Sequence, residues 1–418
     1  MTTAHQLIDF SIAYYSGDRK TGSITVIKRD NGETTTTAID TIPASDLPAA
    51  RKPVFIGLTE ENKVILLDPD TKKVVFEPHF PADAFAAHIY SDPNSKRDWF
   101  MNDGDKATGN DQINCGDKGS SVTVIDDTTS ANSTFLKTIC VGRGHHQASF
   151  SFPSDAHPNT ASQVYISNLK DGTISVIGND PADAENYLSL VATINLCEPD
   201  KEDENTEGAI PNNAFPHGLV FSKMSGKVYN LNNGYGTVVV IDPTTCDIEN
   251  RFAFKGHSNL FASPCGKYVL GRGADRKSNP NHVIAKLSVI DVNDNAIKDS
   301  LDLQDVYISK YFFNPEGSRL YLTTSSSGND EQMANLKTDA LLVFDMTALP
   351  TLKLINESRL GSSTGTLDFV TKDNKTQLMF SSNAEQGAVT VLSIDGEILE
   401  KITVSEQASH SRLWTLSL

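Results

Sequence analysis

Three consecutive stretches decide the fold: Pro216-His-Gly-Leu-Val-Phe-Ser222, Gly226-Lys-Val-Tyr-Asn-Leu231 and Gly236-Thr-Val-Val-Val-Ile-Asp242. Each one starts at a turn-forming residue and continues with β-branched and apolar residues, which is the pattern of a short strand. A fourth short strand is expected at 248–254. The chain therefore contains a unit of four antiparallel strands joined by tight turns.

The third stretch of this unit recurs eight times along the chain. Its last apolar residue in each copy is Ile27, Leu67, Ile125, Ile177, Ile241, Ile290, Phe344 and Leu392. Counting from the last marker through the C-terminus and on from the N-terminus to the first marker gives 53 residues, another full step. A closed ring of radial four-stranded units explains that spacing, and such a ring is a β-propeller.

We therefore predict an all-β protein in which residues 1–418 form one eight-bladed β-propeller domain. The C-terminal strand, near 412–418, is expected to close the ring as the innermost strand of the first blade, beside a strand at 9–15. Seven blades remain open, because 39–62 leaves little room for two strands and contains Pro43, Pro48 and Pro53. Proline cannot donate to a central strand ladder.

Composition narrows the classes of partner. The formal net charge is −17, which disfavours nucleic acid and anionic membrane surfaces, because both require a basic face. No apolar run has the length of a membrane span, and the N-terminus lacks the basic region of a signal peptide. We expect a periplasmic protein if a leader has been removed, and a cytoplasmic one otherwise.

The five cysteines form no Cys-x-x-Cys pair, so a thiolate zinc site is disfavoured. In an oxidising compartment, Cys115–Cys140 or Cys197–Cys246 could form disulfides.

Histidines are the candidate functional residues, because single or paired histidines precede several of the expected innermost strands. They are His88, His145, His146, His217, His257 and His410. If these strands are equivalent, the imidazoles converge at one mouth of the central channel. Converging imidazoles suit copper or zinc. The alternative is that a histidine such as His217 only forms a hydrogen bond between blades.

Other residues are candidates for binding a substrate beside that site. Tyr307 and Lys310 occupy the corresponding region of a blade that lacks the histidine, and Arg143 and Arg272 could approach the channel mouth and bind an anion. The Asp- and Gly-rich 102–119 segment and the acidic 198–207 segment are expected to be loops on one face, where a protein partner could bind.

The quoted unit resembles the YVTN-type β-propeller repeats, which implies the fold rather than a function. The segment His145-His-Gln-Ala-Ser-Phe150 is similar to the His-His start in the catalytic propeller of nitrous oxide reductase, and copper-dependent thiocyanate dehydrogenases share that design. This resemblance implies that His145, His146, His217 and His257 bind copper. The chain departs from it by lacking the cupredoxin domain with its Cys/His/Met copper site.

The segment around Ala87-His-Ile-Tyr-Ser91 resembles periplasmic propeller chaperones that deliver zinc to an importer. The leading hypothesis is a copper-dependent redox enzyme acting on a small substrate. The alternatives are a non-catalytic zinc or copper carrier, a protein-interaction scaffold, and a propeller lactonase.

Overall fold

A computed structural model describes most of the chain: 8–17, 22–38, 55–58, 64–68, 73–76, 85–104, 114–127, 133–198, 200–201, 208–364, 366–404 and 410–417. Within these residues the protein is almost entirely β-structure. Its strands form consecutive antiparallel sheets, seven with four strands and one with three. We number the sheets 1 to 8 in chain order.

The first half of the chain forms sheets 1 to 4. Sheet 1 contains β1 (Phe10–Gly17), β2 (Gly22–Asp30) and β3 (Glu33–Ala38), together with the last strand, β31 (His410–Ser417). Sheet 2 contains β4 (Phe55–Leu58), β5 (Val64–Asp68) and β6 (Lys73–Phe76). Sheet 3 contains β7 (Phe85–Ser91), β8 (Asp98–Asp103), β9 (Ser120–Asp126) and β10 (Thr134–Val141). Sheet 4 contains β11 (His145–Ser151), β12 (Gln163–Asn168), β13 (Thr173–Gly178) and β14 (Leu190–Asn195).

The second half forms sheets 5 to 8. Sheet 5 contains β15 (Pro216–Ser222), β16 (Lys227–Asn232), β17 (Thr237–Ile241) and β18 (Ile248–Ala253). Sheet 6 contains β19 (Asn259–Ala262), β20 (Tyr268–Asp275), β21 (Ile284–Asp291) and β22 (Ala296–Gln304). Sheet 7 contains β23 (Ile308–Phe313), β24 (Arg319–Thr324), β25 (Ala340–Asp345) and β26 (Lys353–Arg359), with the one-turn helix α1 (Asp330–Met333). Sheet 8 contains β27 (Leu367–Lys372), β28 (Lys375–Asn383), β29 (Ala388–Leu392) and β30 (Ile398–Thr403).

Sheets 3 to 8 and sheet 1 are stacked face to face around an axis. The first strands of neighbouring sheets contact one another, as β7, β11, β15 and β19 do in succession. In sheet 5, for example, the second and third strands are almost fully buried, whereas the outer strand β18 is largely exposed. This gradient is what a radial arrangement requires, because only the last strand of a radial sheet faces solvent on the rim.

Apolar side chains fill the space between neighbouring sheets. Between sheets 4 and 5, for example, Tyr165, Ile174 and Val176 pack against Leu219 and Val239. Clusters of this kind join every successive pair from sheet 3 to sheet 8, and then sheet 8 to sheet 1. Burying one such side chain contributes about 1.5–3 kcal/mol, so these seams hold the sheets together.

The predicted closure of the ring is confirmed. Strand β31 pairs antiparallel with β1, so the two ends of the chain share sheet 1. The seam with sheet 8 is sealed by Phe10 against Phe380 and by Arg29, whose Nη2 donates to Glu400 at 2.6 Å. Arg29 is only 5% exposed and also lies over the Phe10 ring. Residues distant in sequence therefore close the fold.

Among the described residues, the segment predicted to form the weakest blade supplies the smallest sheet. Sheet 2 has three strands where the other seven sheets have four. Among the described residues the fold is therefore a propeller with seven four-stranded sheets. The predicted count of eight blades is not confirmed, and the alternative of seven is allowed.

One of the two expected disulfides is present, between Cys115 and Cys140. Cys197 and Cys246 are free, so the second pairing is not formed. The bond ties the 102–119 insertion to β10, and such a bond persists in oxidising compartments. In the part of the chain that the structure describes, no helix is long and apolar enough to cross a membrane.

Candidate functional site in the central channel

The innermost strands can be compared by a shared landmark, a serine that pairs with the first residue of the second strand. These serines are Ser91, Ser151, Ser222 and Ser263. Counting back from them gives the position of each histidine along the channel. His146 and His217 both lie five residues before the serine, while His145 and His257 lie six and His88 only three.

The sequence predicted that the histidines share one position along their strands. The structure shows that they do not. His146 and His217 are equivalent on neighbouring strands, each beside a register shift in its strand. His88 lies in the middle of β7 rather than before it, at the position that Ala148 and Leu219 hold in their strands. Since a strand rises about 3.3 Å per residue, His88 lies two positions further along its strand than His217 does.

His257 is part of the interior of sheet 6. Its Nε2 lies 2.8 Å from Ser288 Oγ on β21, and its ring stacks on Phe254 with 3.8 Å between centroids. Burial and, secondarily, the Lys286 ammonium lower the pKa of His257 to about 4. A Cβ at Gly271 would meet the Phe254 ring at 2.2 Å, so that glycine makes room for the stack. One nitrogen of this neutral imidazole is therefore already engaged by Ser288.

His217, His88 and Arg272 lie in one neighbourhood. Burial lowers the pKa of His217, an interaction with the backbone of Ser258 raises it, and the charges of Arg272 and His88 lower it further. Ser258 directly precedes β19 of the next sheet. This interaction is the kind expected if His217 only forms a hydrogen bond between blades. The structure thus brings together residues of sheets 3, 5 and 6 at the channel.

Arg272 is the most unusual residue of this group. It lies on β20, opposite Asn259 of β19, and its Nη1 donates to the Ile308 carbonyl at 2.6 Å. Its Nε is buried without a hydrogen-bond partner, and no carboxylate pairs with the guanidinium among the described residues. Burial lowers the pKa of Arg272, while the nearby phenols of Tyr307 and Tyr311 raise it. A largely buried cation without an acid partner therefore lies at the channel.

Tyr307 precedes β23 and interacts with two arginines. Besides Arg272, the Arg276 guanidinium lies 5.5 Å from the centre of its ring. Arg276 is held in place because the buried Gln332 side chain of α1 donates to the Arg276 carbonyl at 3.1 Å. The predicted role of Tyr307 near the channel is thus compatible with its position.

The other predicted residues have different surroundings. Arg143 is exposed, and its Nε donates to Asp171 at 2.7 Å in the turn between β12 and β13. Lys310 is half-buried on β23, next to Tyr311. His410 begins β31, and the side chains of His145, His146 and His410 lie outside the described residues. Among the described residues, no group of three or more histidine, cysteine or acidic side chains is arranged to hold a metal.

A cavity of about 380 Å³ occupies the channel beyond these residues, towards the ends of the inner strands. Five inner strands line it, with the aromatic rings of Tyr90, Phe150, Phe221, Phe261 and Tyr311. Burial and Tyr311 raise the pKa of Tyr90. The two phenols are therefore neutral and close to each other across the channel.

Sequence reasoning did not identify this cavity, and it considered Arg272 only in passing. The aromatic residues have the appearance of ordinary core positions in an alternating strand. A signal was nevertheless present for Arg272, since a lone arginine in the apolar run of β20 interrupts a strand whose neighbours are buried.

Comparisons based on sequence find no match for this chain. This holds both for family models and for curated proteins. The YVTN resemblance therefore stays a prediction.

Solved structures do match the chain. A putative 6-phosphogluconolactonase from Bacteroides uniformis is 12% identical with a TM-score of 0.51, over 97% of this chain and 99% of that one. The β-propeller domain of Cps50 (Swd1) from Myceliophteria thermophila is 11% identical with a TM-score of 0.51, over 84% and 97%. Hydrazine synthase from Kuenenia stuttgartiensis is 12% identical with a TM-score of 0.51, over 79% and 90%. At these identities the similarity concerns the fold alone, and it shows that the chain is similar to β-propeller proteins.

Proposed function

We propose that this β-propeller binds a small anion in its central channel and that Arg272 is the group that recognises it. The observation that carries the proposal is the largely buried guanidinium without an acid partner among the described residues. Burying an unpaired charge is costly, so such a group is expected to find its counter-charge elsewhere. A guanidinium prefers planar anions such as carboxylate and phosphate.

The neighbours of Arg272 suit the same ligand. The Tyr307 hydroxyl can donate a hydrogen bond to an anion, and the imidazoles of His217 and His88 can donate when protonated. The acidic surface of the protein does not argue against an anion, because a positive charge in a narrow channel acts locally.

Isothermal titration with sodium phosphate and sodium acetate tests the proposal. We expect Arg272→Gln to weaken binding of whichever anion binds by at least about tenfold, because it removes a charged hydrogen-bond donor. Arg143→Gln is the matched control, since that arginine is exposed and already paired with Asp171. Equal affinities of the wild type and Arg272→Gln would refute the role of Arg272.

A metal site at the histidines is a second candidate. It is favoured by the equivalent positions of His146 and His217 on neighbouring strands and by the electrostatic interaction of His217 with His88. His88, His145, His146 and His217 would hold copper, or alternatively zinc, through neutral imidazole nitrogens. His257 does not fit this set, because Ser288 already contacts its Nε2.

Bound copper would supply redox chemistry, whereas exchangeable zinc would fit a carrier. The positive charge of Arg272 beside His217 opposes a second cation, so a metal here would need an anion between them. The two candidate functions are thus compatible.

Elemental analysis of untagged protein loaded with copper or zinc tests the metal site. We expect one equivalent in the wild type and in His157→Ala, whose imidazole binds the Met224 carbonyl away from the channel, and loss in His217→Ala. Retention in His217→Ala would exclude this ligand set. The lactonase and scaffold alternatives rest on the fold alone.

We also propose that sheet 2 is the remaining blade of an eight-bladed ring. The described seams run without a break from sheet 3 to sheet 8 and on to sheet 1, and the 39–84 segment that contains sheet 2 joins the two ends of that series. Replacing 39–84 with a short Gly-Ser linker should open the ring and lower the melting temperature strongly. An unchanged melting temperature would favour seven blades.

A further inference from the structure

Arg272 does not itself line the channel cavity, but two residues close to it do. Arg272 pairs with Asn259, and the next residue of that strand, Leu260, lines the cavity. Tyr311 lines the cavity and also interacts electrostatically with Arg272. The charged site therefore lies at one end of the cavity.

The walls of the cavity combine flat aromatic rings with polar side chains, among them Ser91, Ser149 and Ser263. The ring of Phe261 stacks on that of Tyr311, with 4.1 Å between centroids and 15° between planes. The Gln147 side-chain oxygen accepts a hydrogen bond from the Leu219 backbone at 3.0 Å, which fixes the position of this amide in the cavity wall. Among the described residues that line the cavity, none is acidic, and Lys223 is the basic one.

We propose that the ligand is an amphipathic organic anion whose flat apolar body fills this cavity while its carboxylate or phosphate reaches Arg272. This rests on the proposed function, because it assigns the body of the ligand whose charge Arg272 recognises. A small inorganic anion would satisfy Arg272 but leave the aromatic walls hydrated.

The size of the cavity agrees with this class of ligand. Pockets for small organic molecules span about 300–1,000 Å³, and the observed cavity lies at the lower end of that range. The tyrosine hydroxyls of Tyr90 and Tyr311 are neutral donors, so they can orient a polar substituent on the body.

Three probes separate the two halves of the ligand: acetate, 2-naphthoate and the neutral 2-naphthalenemethanol. Isothermal titration of the wild type should show 2-naphthoate binding at least about tenfold more tightly than either of the others. In Arg272→Gln, 2-naphthoate and 2-naphthalenemethanol should bind equally. In Ala262→Phe, which adds a ring to the cavity wall, 2-naphthoate should weaken while acetate does not.

A measurement on the wild type makes the test independent of whether the variants fold. With 3-fluorotyrosine incorporated, 2-naphthoate should shift the fluorine resonances of Tyr90 and Tyr311, assigned by Tyr→Phe variants, and acetate should not. Equal binding of acetate and 2-naphthoate, both lost in Arg272→Gln, would overturn this inference and leave the proposed function intact. Equal binding of 2-naphthoate and 2-naphthalenemethanol in the wild type, or no binding of any probe and none of inorganic phosphate, would overturn both.

Discussion

Replacing His257 with glutamine should remove a large part of the acid sensitivity of this protein. The imidazole is 5% exposed, stacks on Phe254 and contacts Ser288. Its pKa is lowered to about 4 in the folded protein, first by burial and then by Lys286. Glutamine keeps an amide that can contact Ser288 but does not titrate.

The magnitude follows from the difference between the folded and unfolded pKa of His257. The unfolded chain has a histidine pKa of about 6.5, so between pH 6.5 and 4 the unfolded state binds more protons than the folded state. Stability contributed by the neutral imidazole is therefore present above pH 6.5 and is lost as the pH falls towards 4. Integrating over this window gives a loss of about 2 kcal/mol between pH 7 and pH 5.

Urea denaturation at pH 7, 6 and 5, followed by tryptophan fluorescence, measures this loss as a free energy of unfolding. The wild type should lose about 2 kcal/mol more than His257→Gln between pH 7 and pH 5. Phe254→Leu is the matched control, because it damages the same stack without removing a titrating group. Its free energy of unfolding should be lower than that of the wild type at pH 7, and it should still fall between pH 7 and pH 5 because His257 is retained.

A His257→Gln protein with the same pH dependence as the wild type would refute this reasoning. The imidazole would then titrate in the folded protein much as it does in the unfolded chain, so burial and Lys286 would not be holding it neutral. That result would also reopen His257 as a metal ligand.

Three further outcomes are expected. Arg29→Met should lower the free energy of unfolding, measured in urea, by about 3 kcal/mol, because it removes the buried donor to Glu400 at the closing seam. Lys227→Met removes an ion pair inside one sheet and should cost under about 1 kcal/mol. Equal costs of the two variants would contradict a special role of the seam. Cys140→Ser should lower the free energy of unfolding by about 3 kcal/mol, since the disulfide closes a loop with a sequence separation of 25 residues. An unchanged denaturation midpoint would argue against the bond. Gly218→Ala should lower the free energy of unfolding by about 2 kcal/mol, because the backbone has φ +124° and a Cβ would meet Leu260 N at 2.7 Å. A variant as stable as the wild type in calorimetry would show that sheets 5 and 6 can move apart to make room for the Cβ.

Much of the fold could be predicted because its signals are local. The continuous run of β-branched residues in β17, for example, requires only that the strand be buried between two sheets. The turn glycine before it, Gly236, is its neighbour in sequence. The closing strand could also be inferred, since a full step of the repeat was divided between the two termini. The three-stranded sheet was expected to be irregular because prolines cannot join a central ladder.

The site was harder to predict because its geometry depends on register. A shift of a few residues along an inner strand moves a histidine several ångströms in the channel, and His88 and His217 differ by two positions when counted from their serines. The irregularities in β7, β11 and β15 that set these positions leave no clear mark in the sequence. Alignment by the histidines themselves therefore placed His88 and His257 at the level of His217.

By itself, the sequence determined the strand-and-turn unit, its repetition and the closure of the ring, because these depend on periodicity and on neighbours along the chain. Only the tertiary structure decided that His257 lies inside sheet 6, that Arg272 is buried without an acid partner among the described residues, and that an aromatic cavity lies beside it. The physical reason is that burial, pairing and the pKa of a side chain depend on residues from other sheets. Those contacts exist only after the sheets have closed around the channel.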